Sequence, residues 1–230
     1  MDIDMGTMFT SYIKTFSKEW WENVWYHYRW YIIGGIGILF LLILGISECA
    51  TSVRPDFTMT YMGGLEPMGQ IQAYQLEDKL SAVTGDIDNN KKTKVKVNVI
   101  YLDNGSGSEE MAANYNMADI EMAGGDAVVL LFEEKFAERY SKYGFVDLSE
   151  YVNEFSIDES LVKRYEDGKA YAINLSQNPI FTQVEGMNAE KLYLAVRPLR
   201  ANDKTNWQKK NHENGVNMAR YIISGGSVNP

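Results

Sequence analysis

Cysteine is nearly absent from this chain, and histidine is scarce. Cys49 is the single cysteine among 230 residues, so no intramolecular disulfide can form. The two histidines, His27 and His212, lie far apart in sequence, and no Cys/His cluster has zinc spacing. Basic residues are outnumbered: 22 Lys and Arg stand against 31 Asp and Glu, a formal charge of −9. Such a surface argues against nucleic acid, whose phosphates need clustered Lys and Arg. It argues equally against the soluble part lying flat on an anionic bilayer.

Motifs of catalysis are missing as well. No G-x-S-x-G nucleophile elbow occurs, and no Gly-rich loop is followed by G-K-[ST]. The adjacent carboxylates Glu77-Asp78, Glu109-Glu110 and Glu133-Glu134 point to different sides of a helix, so they read as solvated faces, not acid/base dyads. Asp86, Asp88 and Asn90 have the spacing that opens a calcium loop. However, Lys91 occupies the place of the turn glycine and Val97 that of the bidentate glutamate. The sequence predicts no enzyme, no cofactor and no metal site.

What is present is a long apolar run and ample material for a core, with 45% hydrophobic and 13% aromatic residues. The stretch 31–48 is uncharged from Tyr31 to Ser47, has no polar stripe, and stops at Glu48. Its length is at the short end of what spans a bilayer of about 30 Å. It reads as a transmembrane helix. Residues 1–30 are rich in rings (Trp20, Trp21, Trp25, Tyr26, Tyr28, Trp30), which favour headgroup depth, and they read as an interfacial segment leading into the span. Gly34, Gly35 and Gly37 would let a partner helix approach, or are simply tolerated there.

Lys14, Lys18 and Arg29 precede the run, and only Arg54 follows it closely. The positive-inside rule then places the N-terminus in the cytoplasm and the C-terminal part outside. The segment before the run is too long for a usual signal peptide. Glu48 is a poor neighbour for a cleavage site or a lipid-modified Cys49. The run therefore reads as an uncleaved signal anchor at the cell membrane, with Cys49 a free thiol.

After a linker over 49–55, in which Pro55 blocks helix continuation, residues 56–226 alternate between strand and helix patterns, and 227–230 form a loose tail. Asp56 to Met62 reads as a strand, Leu65 to Val83 as an amphipathic helix, and Lys94 to Leu102 (KVKVNVIYL) as the clearest strand. Next come a Gly/Ser loop, a helix to about Ala123, and the continuous apolar run DAVVLLF, of the kind buried on both faces of a parallel sheet. Short helices are expected from Glu133 and around Phe145 to Tyr151, strands at Lys169 to Leu175 and Lys191 to Val196, and a closing helix over Lys209 to Ser224. Two successive strand–helix–strand units predict a three-layer α/β domain with a mainly parallel sheet.

Gly125, Asp126, Phe136, Gly144, Asp147-Leu148 and the Gly168-Lys169-x-Tyr171-x-Ile173 segment carry a resemblance. Over residues 56–176 the chain resembles the first lobe of extracytoplasmic solute-binding proteins of ABC importers. It is also similar to small membrane-anchored proteins of Gram-positive bacteria. The resemblance implies a periplasmic-binding-protein-like lobe, with an integral membrane transporter or another envelope protein as partner. The remaining residues 176–230 suffice for about one strand and one helix, not a second lobe. A parallel sheet places a ligand at its C-terminal strand ends. The candidate ligand-binding residues are therefore Tyr61, Gly63, Gly64, Asn104, Ser106, Ser108 and Phe132. The expected function is that of an anchored, non-catalytic binding or accessory module, or alternatively an interaction subunit of an envelope or transporter complex with no small ligand.

Overall fold

The computed structural model describes residues 18–51, 54–103, 108–201, 203–228 and 230. It divides into two compact units, Met1–Val53 and Arg54–Pro230.

In the first unit a single helix, α1, runs from Lys18 to Thr51. Within it Val24–Leu44 is 21 residues long and apolar enough to cross a membrane. The aromatic segment and the apolar run are thus one continuous helix, and helix persists past the start of the expected linker.

The second unit is an α/β domain around a mixed six-stranded sheet. Its strands are β1 (Phe57–Gly64), β2 (Val95–Asp103), β3 (Val129–Glu133), β4 (Val162–Arg164), β5 (Ala170–Asn174) and β6 (Leu192–Val196). Its helices are α2 (Gln70–Ser81), α3 (Ser108–Gly124), α4 (Glu134–Tyr140), α5 (Ser149–Glu154), α6 (Pro179–Thr182) and α7 (Asn206–Ile223). The spatial order is β2-β1-β3-β6-β5-β4.

The first half follows the predicted pattern: β1 pairs parallel with both β2 and β3, because α2 and α3 are long enough to carry the chain back. The second half departs from the expected parallel arrangement. β6 joins β3 antiparallel, β5 joins β6 antiparallel, and β4 joins β5 antiparallel. The cause is connection length. The β4–β5 link is a tight turn in which Tyr165 and Lys169 bond backbone to backbone and Gly168 takes a φ of 85°, a conformation that favours glycine. Between β5 and β6 lie the one-turn helix α6 and a 3-10 turn over Ala189–Lys191, with no helix long enough to run back along the sheet for a parallel return. The three-residue β4 is too short to leave a period in the sequence.

Helices cover both faces. One core holds Leu76 and Leu80 of α2, Val152 of α5 and Met218 and Ile222 of α7 against Met59, Tyr61, Val97 and Leu131. The other holds Ala118 and Met122 of α3 and Phe136 and Tyr140 of α4 against Met62, Ile100, Leu130 and Phe132. The alternation of neighbours such as Tyr61/Met62 and Leu131/Phe132 between the two cores is the period-two pleat of a sheet buried on both sides.

Candidate functional site

The C-terminal ends of β1, β2 and β3 form the first place to inspect. Tyr61 is fully buried; its hydroxyl donates to the Gly64 carbonyl at 2.7 Å, and burial pushes its pKa well up. Phe132 is equally buried and stacks on Tyr140 at a ring separation of 5.8 Å. Neither ring offers a surface to a ligand in this conformation, because the sheet is covered on both faces. Gly63 abuts the Tyr61 ring so closely that a Cβ would meet the phenol oxygen at 2.3 Å. Gly64 donates its N–H to Glu133 Oε2 at 3.0 Å. Lys135 pairs with Asp103, which raises the lysine pKa, and lies 4.0 Å from Glu133. Lys191 pairs with Glu66 nearby. Tyr61, Gly63, Gly64 and Phe132 are thus brought together, with ion pairs across the strand ends. Asn104 and Ser106 lie outside the described residues, and Ser108 is the first residue of α3.

A second feature, not anticipated, is the open edge of the sheet at β2. Val97 donates its N–H outward to Glu77 Oε1 of α2 at 2.7 Å, and the Tyr101 carbonyl accepts from Asn114 Nδ2 of α3 at 2.8 Å. Odd-numbered residues of β2 therefore turn their backbone groups away from β1, and Val99 sits between the two side-chain caps. A cleft of about 490 Å³ runs along this edge between α2 and α3. Tyr74 (60% exposed) forms one wall; Met117 (55%) and Ile120 (70%) form the other. Three large apolar side chains exposed beside an unpaired strand are unusual on a surface that could bury them. The signal for this site was present only as helix faces carrying an extra apolar residue. Which strand would be the edge is not written in the sequence.

A third feature is a recess of about 570 Å³ at the opposite, N-terminal ends of β1 and β2, lined by Arg54, Thr58, Lys96, Asn98, Asp126 and Trp207 among others. The Arg54 guanidinium lies over the Trp207 ring, 5.3 Å from its centroid.

Folding also gathers three carboxylates, Asp56, Asp86 and Asp88, whose oxygens lie within 4.8 Å of one another. The same oxygens already serve the backbone. Asp56 accepts from Ile87 and Lys94 N–H at 3.0 and 2.9 Å, Asp86 from Lys91 at 2.7 Å, and Asp88 from Asn90 at 3.0 Å. The arrangement fixes the turn into β2. Replacing Asp56 with Ala strands two donors and is expected to cost about 2 kcal/mol, measured as a lower urea midpoint; Asp56→Asn, which keeps one acceptor oxygen, is expected to lose about half as much.

No protein-family model matches this chain, and no curated protein matches it in sequence. The class that can be stated is structural: an α/β domain with a mixed six-stranded sheet, following one apolar helix of membrane-spanning length.

Proposed function

We propose that this chain is a membrane-anchored, non-catalytic interaction module that holds a partner protein at the membrane through the open edge of β2. The observation that carries the reading is the cleft in which Tyr74, Met117 and Ile120 flank the outward backbone groups of Val97, Val99 and Tyr101. A partner segment that adds as an extra strand satisfies those groups, while its alternate side chains enter the apolar walls. Glu77 and Asn114 occupy the edge in the free state, which guards it against indiscriminate pairing, and both are side chains that can swing aside.

The anchor reading rests on the apolar segment of α1, and the extracytoplasmic placement on Lys14, Lys18 and Arg29 before it. The non-catalytic reading rests on the missing motifs and on His212, whose Nε2 lies 3.0 Å from the Arg197 carbonyl. The resemblance to a solute-binding lobe supports a solute less, since Tyr61 and Phe132 at the C-terminal strand ends are buried and present no surface to one.

The test is crosslinking in native membranes with a photoreactive residue at position 74 or 120, against a control at Asn217 on α7. One discrete adduct at both edge positions and none at 217 is expected. The paired substitution Met117→Lys and Ile120→Lys should then reduce adduct at position 74 at least about tenfold, since buried anchors at an interface contribute about 1–2 kcal/mol each. Equal labelling at all three positions rules the edge out as the contact.

A further inference from the structure

The net charge conceals a division. Elsewhere on the Arg54–Pro230 unit Lys135, Lys163, Arg164, Lys169, Lys191 and Arg220 each hold a carboxylate. The end formed by the N-terminal strand ends of β1 and β2 is different. Arg54, Lys91, Lys92, Lys96, Lys204, Lys209 and Lys210 are all exposed there, and among the described residues none of them is in an ion pair.

Their convergence is set by the fold. The loop carrying Lys91 and Lys92 is tied to β1 through Asp56, which accepts from Ile87 and Lys94. The start of α7 is tied to the same end by Asn211 donating to the Asp126 carbonyl and Asn214 donating to the Asp56 carbonyl. The carboxylates at this end are largely engaged: Glu121 with Arg197, Asp203 with Arg200, and Asp86 and Asp88 with their own loop. Asp126, and Glu213 on α7, remain exposed, and among the described residues neither is in an ion pair.

The start of α7 carries the same bias. Its first turn has no acidic residue, as in α2 and α6, whereas α3, α4 and α5 begin with Glu109 and Glu110, Glu134 and Glu150. Lys204 just before its cap opposes the helix dipole, so local helix stability does not account for it. Apolar groups sit among the cations: Leu199 is 47% exposed, and Trp207, half-buried, lies under Arg54. Cations mixed with an exposed Leu and a Trp match the headgroup layer of a bilayer. The chain also enters the domain at this end, through Arg54 and Pro55.

We propose that this cation-rich end docks on the anionic lipid headgroups of the bilayer that anchors the chain. The lysines and Arg54 bind headgroup phosphates, Leu199 enters the interface, and the β2 edge lies along the side of the docked domain, accessible to a partner. The proposal rests on the anchor reading given above.

The experiment uses the full chain reconstituted into phosphatidylcholine vesicles and into phosphatidylcholine/phosphatidylglycerol vesicles, with amide hydrogen exchange followed over residues 86–96 and 199–210. Slower exchange of both segments in the anionic vesicles alone is expected, and it should fade at high salt. The variant K91Q/K92Q/K204Q/K209Q should lose the effect, at about fivefold per lysine in occupancy of the docked state. K169Q, on a lysine that pairs with Asp167 away from this end, should not. Melting of both variants checks that the fold is intact. Equal exchange in the two lipids overturns the docking, as does a slowdown that survives the four-lysine change. If soluble polyphosphate slows these segments and the anionic vesicles do not, the surface serves a soluble polyanion and the lipid assignment is wrong. A chain released from vesicles by an alkaline wash overturns anchor and docking together; a retained chain with no lipid dependence overturns the docking alone.

Discussion

Replacing Arg197 with Ala is expected to cost about 3–5 kcal/mol, the usual loss when one partner of a buried charge pair is removed. The side chain is 7% exposed, and its guanidinium is the end plate of α3. Nη1 donates to the Gly125 carbonyl; Nη2 donates to the Glu121 carbonyl at 2.6 Å and to Glu121 Oε1 at 3.3 Å. Those carbonyls belong to the last turn of a helix and its exit, where backbone acceptors have no partner within the helix and a cation is favoured. Burial lowers the arginine pKa, opposed by the field of Glu121, and the guanidinium stays charged. Without Arg197 the Glu121 carboxylate and the Gly125 carbonyl lose this donor, and the Glu121 carbonyl keeps only the Gly125 N–H at 2.8 Å. Thermal unfolding of the detergent-solubilised chain, followed by circular dichroism, should show a midpoint lower by about 10 °C. Arg197→Lys should recover only part of the loss, because an ammonium cannot span both carbonyls in the planar geometry of a guanidinium. An unchanged midpoint in Arg197→Ala would mean that α3 is held by its packing alone.

A valine at position 215 should have an effect of similar size, for a different reason. Gly215 lies inside α7, where glycine is about 1 kcal/mol worse than alanine for the helix. It is kept there by contact: a Cβ at this position would lie 2.4 Å from Val128 Cβ, which is too close and is on a side chain with little freedom to turn. Gly215→Val must push α7 away from the residues entering β3, and a loss of about 3 kcal/mol is expected. The double variant Gly215→Ala with Val128→Gly should be less destabilised than the two single variants sum to, since only glycine at 128 removes the Cβ that a side chain at 215 would meet. If the second substitution gives no recovery, the helix is not seated on Val128.

The regular elements were largely legible. The alternation of Val95, Val97 and Val99, the apolar run from Val129 to Phe132 and the amphipathic closing helix all became elements within a few residues of where their periods place them. The apolar segment in α1 was legible because an uncharged run of that length has few alternatives. Tyr61 and Phe132 were less informative. An aromatic at a strand end has the same one-letter code whether it faces a cleft or fills a core, and here both are buried beneath helices.

The sequence by itself determined that an apolar helix precedes an α/β domain, because hydrophobic period and run length act through nearest neighbours along the chain. Only the tertiary structure decided that β2 would be left with one side unpaired and where the cations would gather. Both depend on long-range pairing. β2 is one edge because β3 took the other side of β1, and the antiparallel return of β6, β5 and β4 extended the sheet away from it, with the short β4 at the far edge. Arg54, the lysines at 91–96 and those at 204–210 share one end because β1, β2 and the start of α7 are tied there by Asp56, Asn211 and Asn214. Net charge is a sum and carries no position, so an acidic chain can still present a basic face.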